Sequence, residues 1–216
     1  MLQRVAASLL ALIVMPSAAA NPPAIPSSLP PSVQCGSLEN AFGPFDWRTH
    51  NDWNKKDAEN NHFFPGIESL SRNFSTKRIA SELDYILRAY PNHTRALWTY
   101  SRLGAREGSD KPDGARYTID CYFERAVRFQ PDDGAVWLVL GLHLLRKREF
   151  SGAITALEGA LELGENESNV RYHLGLAYFE SGDHERALTQ ARRAYDLGFP
   201  LPGLRDKLKR AGKWRD

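Results

Sequence analysis

The sequence lacks the short motifs that mark most enzyme classes. Its 216 residues contain no HExxH or CxxC metal-binding spacing, no glycine-rich phosphate loop and no G-x-S-x-G nucleophile elbow. It also lacks a charge excess, because 28 basic residues stand against 26 acidic ones. General nucleic-acid-binding proteins usually have a strongly basic balance, so the composition argues against a nucleic-acid partner.

Long apolar runs are scarce, and the one near the N-terminus is short. Residues 1–20 (MLQRVAASLLALIVMPSAAA) combine Arg4, an apolar stretch over residues 6–15 and three small residues at 18–20. A bilayer span needs about 20 apolar residues, whereas this pattern is typical of a cleaved export signal. We therefore expect cleavage after Ala20 and no transmembrane segment in the mature chain. An uncleaved N-terminal anchor is the alternative.

Cysteine is rare, since only Cys35 and Cys121 occur. Two cysteines in an exported chain favour one disulfide, because oxidising compartments allow such bonds to persist. Two unpaired buried thiols are the alternative. The signal pattern is of bacterial type, so we expect the periplasm, with the extracellular space as the alternative location.

The residues that follow the signal divide by composition into two segments. Residues 21–34 (NPPAIPSSLPPSVQ) hold five prolines and no charge, which predicts an extended linker of polyproline type outside the core. Residues 35–65 form an extension rich in Phe and Trp, whose rings bury roughly 150–250 Å² each when packed. Packing of residues 36–66 on the rest of the domain is therefore the favoured interpretation. Whether they would cover a groove or an edge stays open.

The strongest pattern lies further along, where two segments align at a spacing of 34 residues. Leu140 and Gly141 match Leu174 and Gly175, and alanines at 153 and 160 match alanines at 187 and 194. Apolar residues recur at i, i+3, i+4 and i+7, which predicts two amphipathic helices in each segment. The small residues indicate that the two helices cross closely.

This pattern resembles the tetratricopeptide repeat, whose signature is W-x2-L-G-x2-Y followed by A-x3-F. Full repeats are predicted at about 134–167 and 168–201, inside a repeat domain that covers 66–200. Residues 201–216 predict a capping helix and tail. The resemblance implies an all-α fold: a short right-handed α-solenoid of helical hairpins, with a non-repeat N-terminal extension and a C-terminal capping helix.

Less regular repeats are predicted upstream. Residues 94–107 and 117–131 read as the two helices of an earlier hairpin with a six-residue insertion between them. Residues 76–91 read as the second helix of a degenerate repeat. One departure inside the full repeats is Arg148, which stands where the next repeat has Gly182.

The resemblance also implies where a partner binds, because members of this family hold peptides or helices in a concave groove lined by their first helices. The groove-facing positions here are apolar and aromatic with a basic edge, which favours an extended or helical apolar segment. The Lys/Asn pattern that clamps a terminal carboxylate is absent. The predicted partner-binding residues are Arg95, Trp98, Arg102, Leu138, Leu142, Leu145, Arg146, Asn169, Tyr172, His173, Leu176 and Phe179.

Two functions follow from these patterns. The first is a non-enzymatic scaffold, without cofactor or metal, that docks a protein or peptide of the cell envelope in this groove. The second is a metal-assisted hydrolase built on His50, His62 and nearby carboxylates such as Asp46 and Asp52. These residues have no recognised ligand spacing, so the scaffold is the favoured hypothesis. The sequence does not address the oligomeric state.

The export signal yields a direct prediction. Protein isolated from the producing cell should begin at Asn21, because the small residues before it fit signal-peptidase cleavage. N-terminal sequencing checks this expectation. Recovery of an intact Met1 in a membrane fraction would show that the segment is an uncleaved anchor.

Overall fold

The computed structural model describes residues 22–214, which form eleven α-helices and no β-strand. The all-α prediction is confirmed for this part of the chain, and the predicted signal at 1–20 lies outside the described residues. No helix between residues 22 and 214 is long and apolar enough to cross a bilayer. The helices are α1 (Ser32–Cys35), α2 (Asp52–His62), α3 (Pro65–Glu68), α4 (Thr76–Ala89), α5 (Thr94–Glu107), α6 (Ile119–Phe129), α7 (Gly134–Lys147), α8 (Phe150–Glu162), α9 (Glu167–Glu180), α10 (His184–Asp196) and α11 (Gly203–Arg210).

Three consecutive helical hairpins make up the body of the fold. The pairs α5/α6, α7/α8 and α9/α10 follow one another, and each packs on the next through contacts of α5 and α6 with α7 and of α7 and α8 with α9. Helix α4 precedes them and packs on α5. This arrangement is the predicted helical solenoid.

Small residues set the distance between the helices, as the sequence predicts. A Cβ atom on Gly141 of α7 would lie 2.5 Å from Cγ of Leu157 on α8. One repeat later, a Cβ atom on Gly175 of α9 would lie 2.5 Å from a methyl group of Leu204 on α11. Leu204 and Leu208 are fully buried. Helix α11 therefore packs on the last hairpin, where it serves as the predicted cap.

The turn between α7 and α8 has Arg148 at the position where the next repeat has Gly182. Arg148 has φ 63°, and Gly182 has φ 91° at the matching turn of the next repeat. Both residues adopt the left-handed region, which glycine enters without steric conflict. The Arg148 backbone conformation is less favourable than that of glycine. The Arg148 guanidinium lies 5.6 Å from the centre of the Phe150 ring.

The proline-rich segment differs from the prediction of a linker outside the core. Leu29 is only 7% exposed, and the segment ends in the short helix α1. A Cβ atom on Gly159 of α8 would lie 2.6 Å from Cβ of Pro23, and one on Gly152 would lie 2.6 Å from Oγ of Ser28. The linker prediction is therefore corrected. Proline rings are themselves apolar, and two glycines of α8 leave room for this segment.

The predicted disulfide joins Cys35 to Cys121, with Cα atoms 5.0 Å apart and a sequence separation of 86. Arg125, on the next turn of α6, is 1% exposed. Its Nη1 donates hydrogen bonds to the carbonyl oxygens of Cys35 at 3.0 Å and Ser37 at 2.6 Å. The end of the proline-rich segment is thus attached to α6 by one covalent bond and a buried guanidinium.

The aromatic extension packs on the N-terminal edge of the stack, which answers the question that the sequence leaves open. Buried Asn92, in the turn between α4 and α5, is the central polar contact. It accepts from the Trp47 backbone N–H at 2.9 Å and donates to Asp46 at 2.7 Å and to Asp133 at 2.9 Å. The extension is thereby held against two successive turns of the repeats.

The aromatic side chains of the extension do not all pack equally. Phe63 is 2% exposed, and Phe45 and Trp47 are half-buried against Tyr90. In contrast, Trp53 of α2 is 76% exposed. The prediction that this segment packs holds for most of its rings, whereas Trp53 points to solvent.

Removal of the disulfide should destabilise the fold. Closing a loop of 86 residues restricts the unfolded chain by up to about 4–5 kcal/mol. We expect the double variant Cys35→Ala/Cys121→Ala, and wild-type protein in reductant, to lose stability by a similar amount in urea unfolding. Two free thiols by intact mass, in protein isolated under oxidising conditions, would contradict the bond.

Candidate partner-binding groove

A concave pocket of about 500 Å³ lies between the first helices α5, α7 and α9. We call it the central groove. It brings together six of the predicted partner-binding residues: Trp98, Leu142, Leu145, Arg146, His173 and Leu176. The residues that the prediction did not include are Arg148, Phe150, Glu180 and Lys207. Partner binding by these residues stays a prediction, but the structure places half of the predicted set in one surface.

Helical spacing explains why these side chains share a face. On α7, Leu145 and Arg146 follow Leu142 by three and four residues, and on α9 Leu176 follows His173 by three. Residues at this spacing lie above one another on one side of a helix. Lys207 comes from the capping helix α11, whose position no repeat pattern determines, so sequence reasoning missed it.

The N-terminal end of this face is occupied by the chain itself. Arg95 of α5 forms ion pairs with Glu68 at 2.6 Å and with Glu59 at 2.7 Å. Arg102 donates to the carbonyl oxygen of Glu68 at 3.4 Å. The two predicted basic residues of α5 therefore hold α2 and α3, because the extension places its carboxylates beside them.

The C-terminal end is also partly covered. Tyr172 is 7% exposed and stacks on Phe199, with ring centres 4.1 Å apart. Leu138 is likewise 7% exposed, and the Lys207 ammonium lies 5.5 Å from the Phe179 ring centre. The chain after α10 therefore folds back over Tyr172, whose role in partner binding stays a prediction. Asn169 acts within its helix, where its carbonyl oxygen accepts from the His173 ring at 2.9 Å.

Arg146 occupies the middle of the central groove. Its guanidinium lies 4.8 Å from the centre of the Trp98 ring. Its Nη2 atom is buried and has no hydrogen-bond partner. Burial lowers the pKa of Arg146, and the charge of Arg102 lowers it further.

Next to the groove, His143 links three helices through hydrogen bonds. Its Nε2 lies 2.8 Å from Asp120, and its Nδ1 lies 2.5 Å from the Ser101 hydroxyl. A carboxylate only accepts, so Nε2 carries the proton and Ser101 donates to Nδ1. Lys147 also donates to Asp120 at 2.6 Å.

These residue types occur in hydrolytic triads, but the surroundings do not fit that role. Ser101 is 2% exposed and lies inside α5, where the backbone N–H groups serve the helix. The arrangement fits a buried hydrogen-bonded link between repeats.

The two histidines of the alternative metal site hydrogen-bond to different partners. His50 lies 2.9 Å from the Tyr90 hydroxyl and 3.2 Å from Asn54, and His62 lies 2.8 Å from Glu82. Within residues 22–214, no group of three or more His, Cys, Asp or Glu side chains is arranged to hold a metal ion. The geometry thus gives no specific support to metal-assisted hydrolysis.

Comparison with known proteins agrees with this architecture. The tetratricopeptide-repeat family model matches residues 121–168 and, in a second match, residues 138–199. Residues 121–199 therefore contain tetratricopeptide repeats. The matches run from α6 to just past the end of α10, so they include the predicted repeat at 134–167 and all but the last two residues of the one at 168–201. They leave the hairpin partner α5 and the degenerate repeat outside.

Solved structures include similar chains. Among 34 that match is MamA AMB-1, which is 18% identical, with a TM-score of 0.44. The match covers 68% of this tetratricopeptide-repeat chain and 95% of MamA. A likeness at this level carries no argument about function.

Two buried histidines, His93 and His143, and one half-buried histidine, His173, predict an acid-sensitive fold. Burial lowers the pKa values of His93, His143 and His173, whereas an unfolded histidine titrates near pH 6.5. Below about pH 6.5 the unfolded chain binds more protons than the folded chain. The free energy of unfolding therefore falls as pH falls below this value. Each histidine contributes up to about 1.4 kcal/mol per pH unit.

Urea unfolding between pH 7.5 and pH 5 measures this dependence. The variant His143→Asn should show a shallower loss than wild type, because one of the three titrating groups is removed. Unfolding free energies that stay constant over this range would contradict the assignment of neutral buried histidines.

Proposed function

We propose that this protein is a non-enzymatic scaffold that holds a peptide or helical segment of a partner protein in the central groove. The observation that carries the proposal is an apolar concave surface left uncovered while the chain covers both of its ends. Small sites of this kind combine apolar walls with a few placed polar groups. Amphipathic helices bind such grooves through apolar side chains at i, i+3, i+4 and i+7.

The composition of the groove supports this role. Trp98 and Arg146 are of the residue types that dominate binding energy at protein interfaces, and they lie in contact at the centre of the surface. Leu142, Leu145 and Leu176 surround them and remain partly accessible. The tetratricopeptide repeat is a family whose members bind proteins, which agrees with a protein partner.

The location of the partner is part of the proposal. The export pattern in residues 1–20 and the disulfide between Cys35 and Cys121 both favour an oxidising compartment. We place the scaffold in the periplasm, with the extracellular space as the alternative, and the partner in the cell envelope. The proposal assigns no reaction and no cofactor.

A charge introduced into the groove tests this function. Leu142→Glu should abolish capture of the envelope partner, because a carboxylate replaces apolar contact area at the centre of the surface. Leu201→Glu is the matched control, since Leu201 is 58% exposed and lies outside the groove. Tagged variants should be expressed in the producing cell, and co-purifying proteins should be compared.

Thermal unfolding of the purified variants serves as the folding control. Both should melt close to wild type, because neither leucine is fully buried. Equal partner recovery with wild-type protein and Leu142→Glu would rule out the groove as the binding surface.

A further inference from the structure

Cations outnumber carboxylates around the central groove. Its lining contains Arg146, Arg148 and Lys207 but only one acidic residue, Glu180. Glu180 is already paired with Lys207 at 2.7 Å. The three cations and one carboxylate leave a local charge of +2, carried by two arginines that have no carboxylate partner in the described part of the chain.

Arg146 is the more unusual of these two arginines. Its Nη2 atom is buried without a hydrogen-bond partner, and the guanidinium lies over the Trp98 ring at 4.8 Å. A buried cationic donor without a partner is unfavourable, because the hydration that it loses is not replaced. Arg148, in contrast, is exposed and lies beside Phe150.

Other arginines on the first helices do have carboxylate partners. Arg95, on the same face of the stack, makes two ion pairs with carboxylates of α2 and α3 at 2.7 and 2.6 Å. Arg171, on α9, pairs with Glu167 at 2.8 Å. The chain therefore supplies carboxylates to Arg95 and Arg171, whereas Arg102 has only a backbone carbonyl and Arg146 has neither.

We propose that the segment bound in the central groove places an Asp or Glu side chain on Arg146, flanked by bulky apolar side chains on Trp98, Leu142 and Leu176. This inference rests on the proposed function and adds the chemistry of the partner to it. A planar guanidinium binds a carboxylate through two parallel hydrogen bonds. The centre of the guanidinium lies 4.8 Å from the centre of the Trp98 ring, and Arg146 lines the groove that the ligand would enter.

The same chemistry separates this partner from a generic apolar helix. An apolar segment alone would cover Arg146 and leave its charge without a carboxylate partner. A segment with an acidic residue inside an apolar sequence brings a carboxylate to the guanidinium and covers the leucines together. The partner's own sequence should therefore contain Asp or Glu between large apolar residues.

Peptide display on the purified protein tests the proposal. A library of random dodecapeptides is selected on wild-type protein, on Arg146→Met, and on the matched control Arg193→Met. Arg193 is exposed on α10 and does not line the groove. Methionine keeps the length of the apolar stem and removes the charge in both variants.

We expect peptides selected by wild type and Arg193→Met to be enriched in Asp or Glu next to Leu, Ile or Phe, and this enrichment to vanish on Arg146→Met. In a wild-type-selected peptide, replacing its acidic residue by the matching amide should weaken binding to wild-type protein by about tenfold or more. The same replacement should change binding to Arg146→Met little. If Arg146→Met does not fold, the amide replacement on wild type decides the question.

The remaining outcomes contradict the inference in distinguishable ways. Apolar peptides selected without acidic enrichment would overturn the role of Arg146 and leave the groove as a binding site. Failure of wild-type protein to select any peptide would count against the proposed function itself. Arg146-dependent binding to phosphatidylglycerol vesicles, with no peptide selected, would assign the groove to anionic lipid and overturn a protein ligand.

Discussion

A stack of helical hairpins must cover the apolar face that each end of the stack exposes, and this constraint organises the rest of the molecule. At the C-terminal end, α11 places Leu204 against Gly175, where a further repeat would otherwise pack. At the N-terminal end, the aromatic extension is held by Asn92 and by the ion pairs of Arg95. Because the chain covers both ends of its own stack, the apolar surface that stays accessible lies in the middle, between α5, α7 and α9.

The outer side of the stack is also covered by the chain. The proline-rich segment lies against α8, and the Cys35–Cys121 bond and Arg125 attach its end to α6. A segment attached in this way adds contacts to the second helices α6 and α8. No such segment covers the first helices at the central groove. The covering segment and the surface proposed for binding therefore lie on opposite sides of the repeats.

The repeat pattern predicted the helices that obey it. Residues 94–107 coincide with α5, and the small residue at Gly141 faces Leu157 as expected. Helix α2 was not predicted, because it buries only Ala58 and thus shows no apolar periodicity. The cover over Tyr172 and the contacts of Arg95 depend on segments outside the repeats, whose positions are set by tertiary packing. The six groove residues were predicted because they occupy positions that face the groove in the tetratricopeptide repeat, whereas Lys207 lies on a helix outside the repeats.

The proposed division of roles is that the central groove contacts the partner and that the aromatic extension serves packing. Site-specific photo-crosslinking in the producing cell tests it most directly, with a photoreactive residue placed at position 142 in the groove, at 53 in the extension, or at 193 on α10. Position 53 tests the extension as the alternative binding surface, because Trp53 is its most exposed aromatic residue. We expect one partner to be crosslinked from position 142, and this crosslink to be lost in the Arg146→Met background. We expect no crosslinked partner from position 53 or 193. A partner captured from position 53 and not from 142 would contradict it.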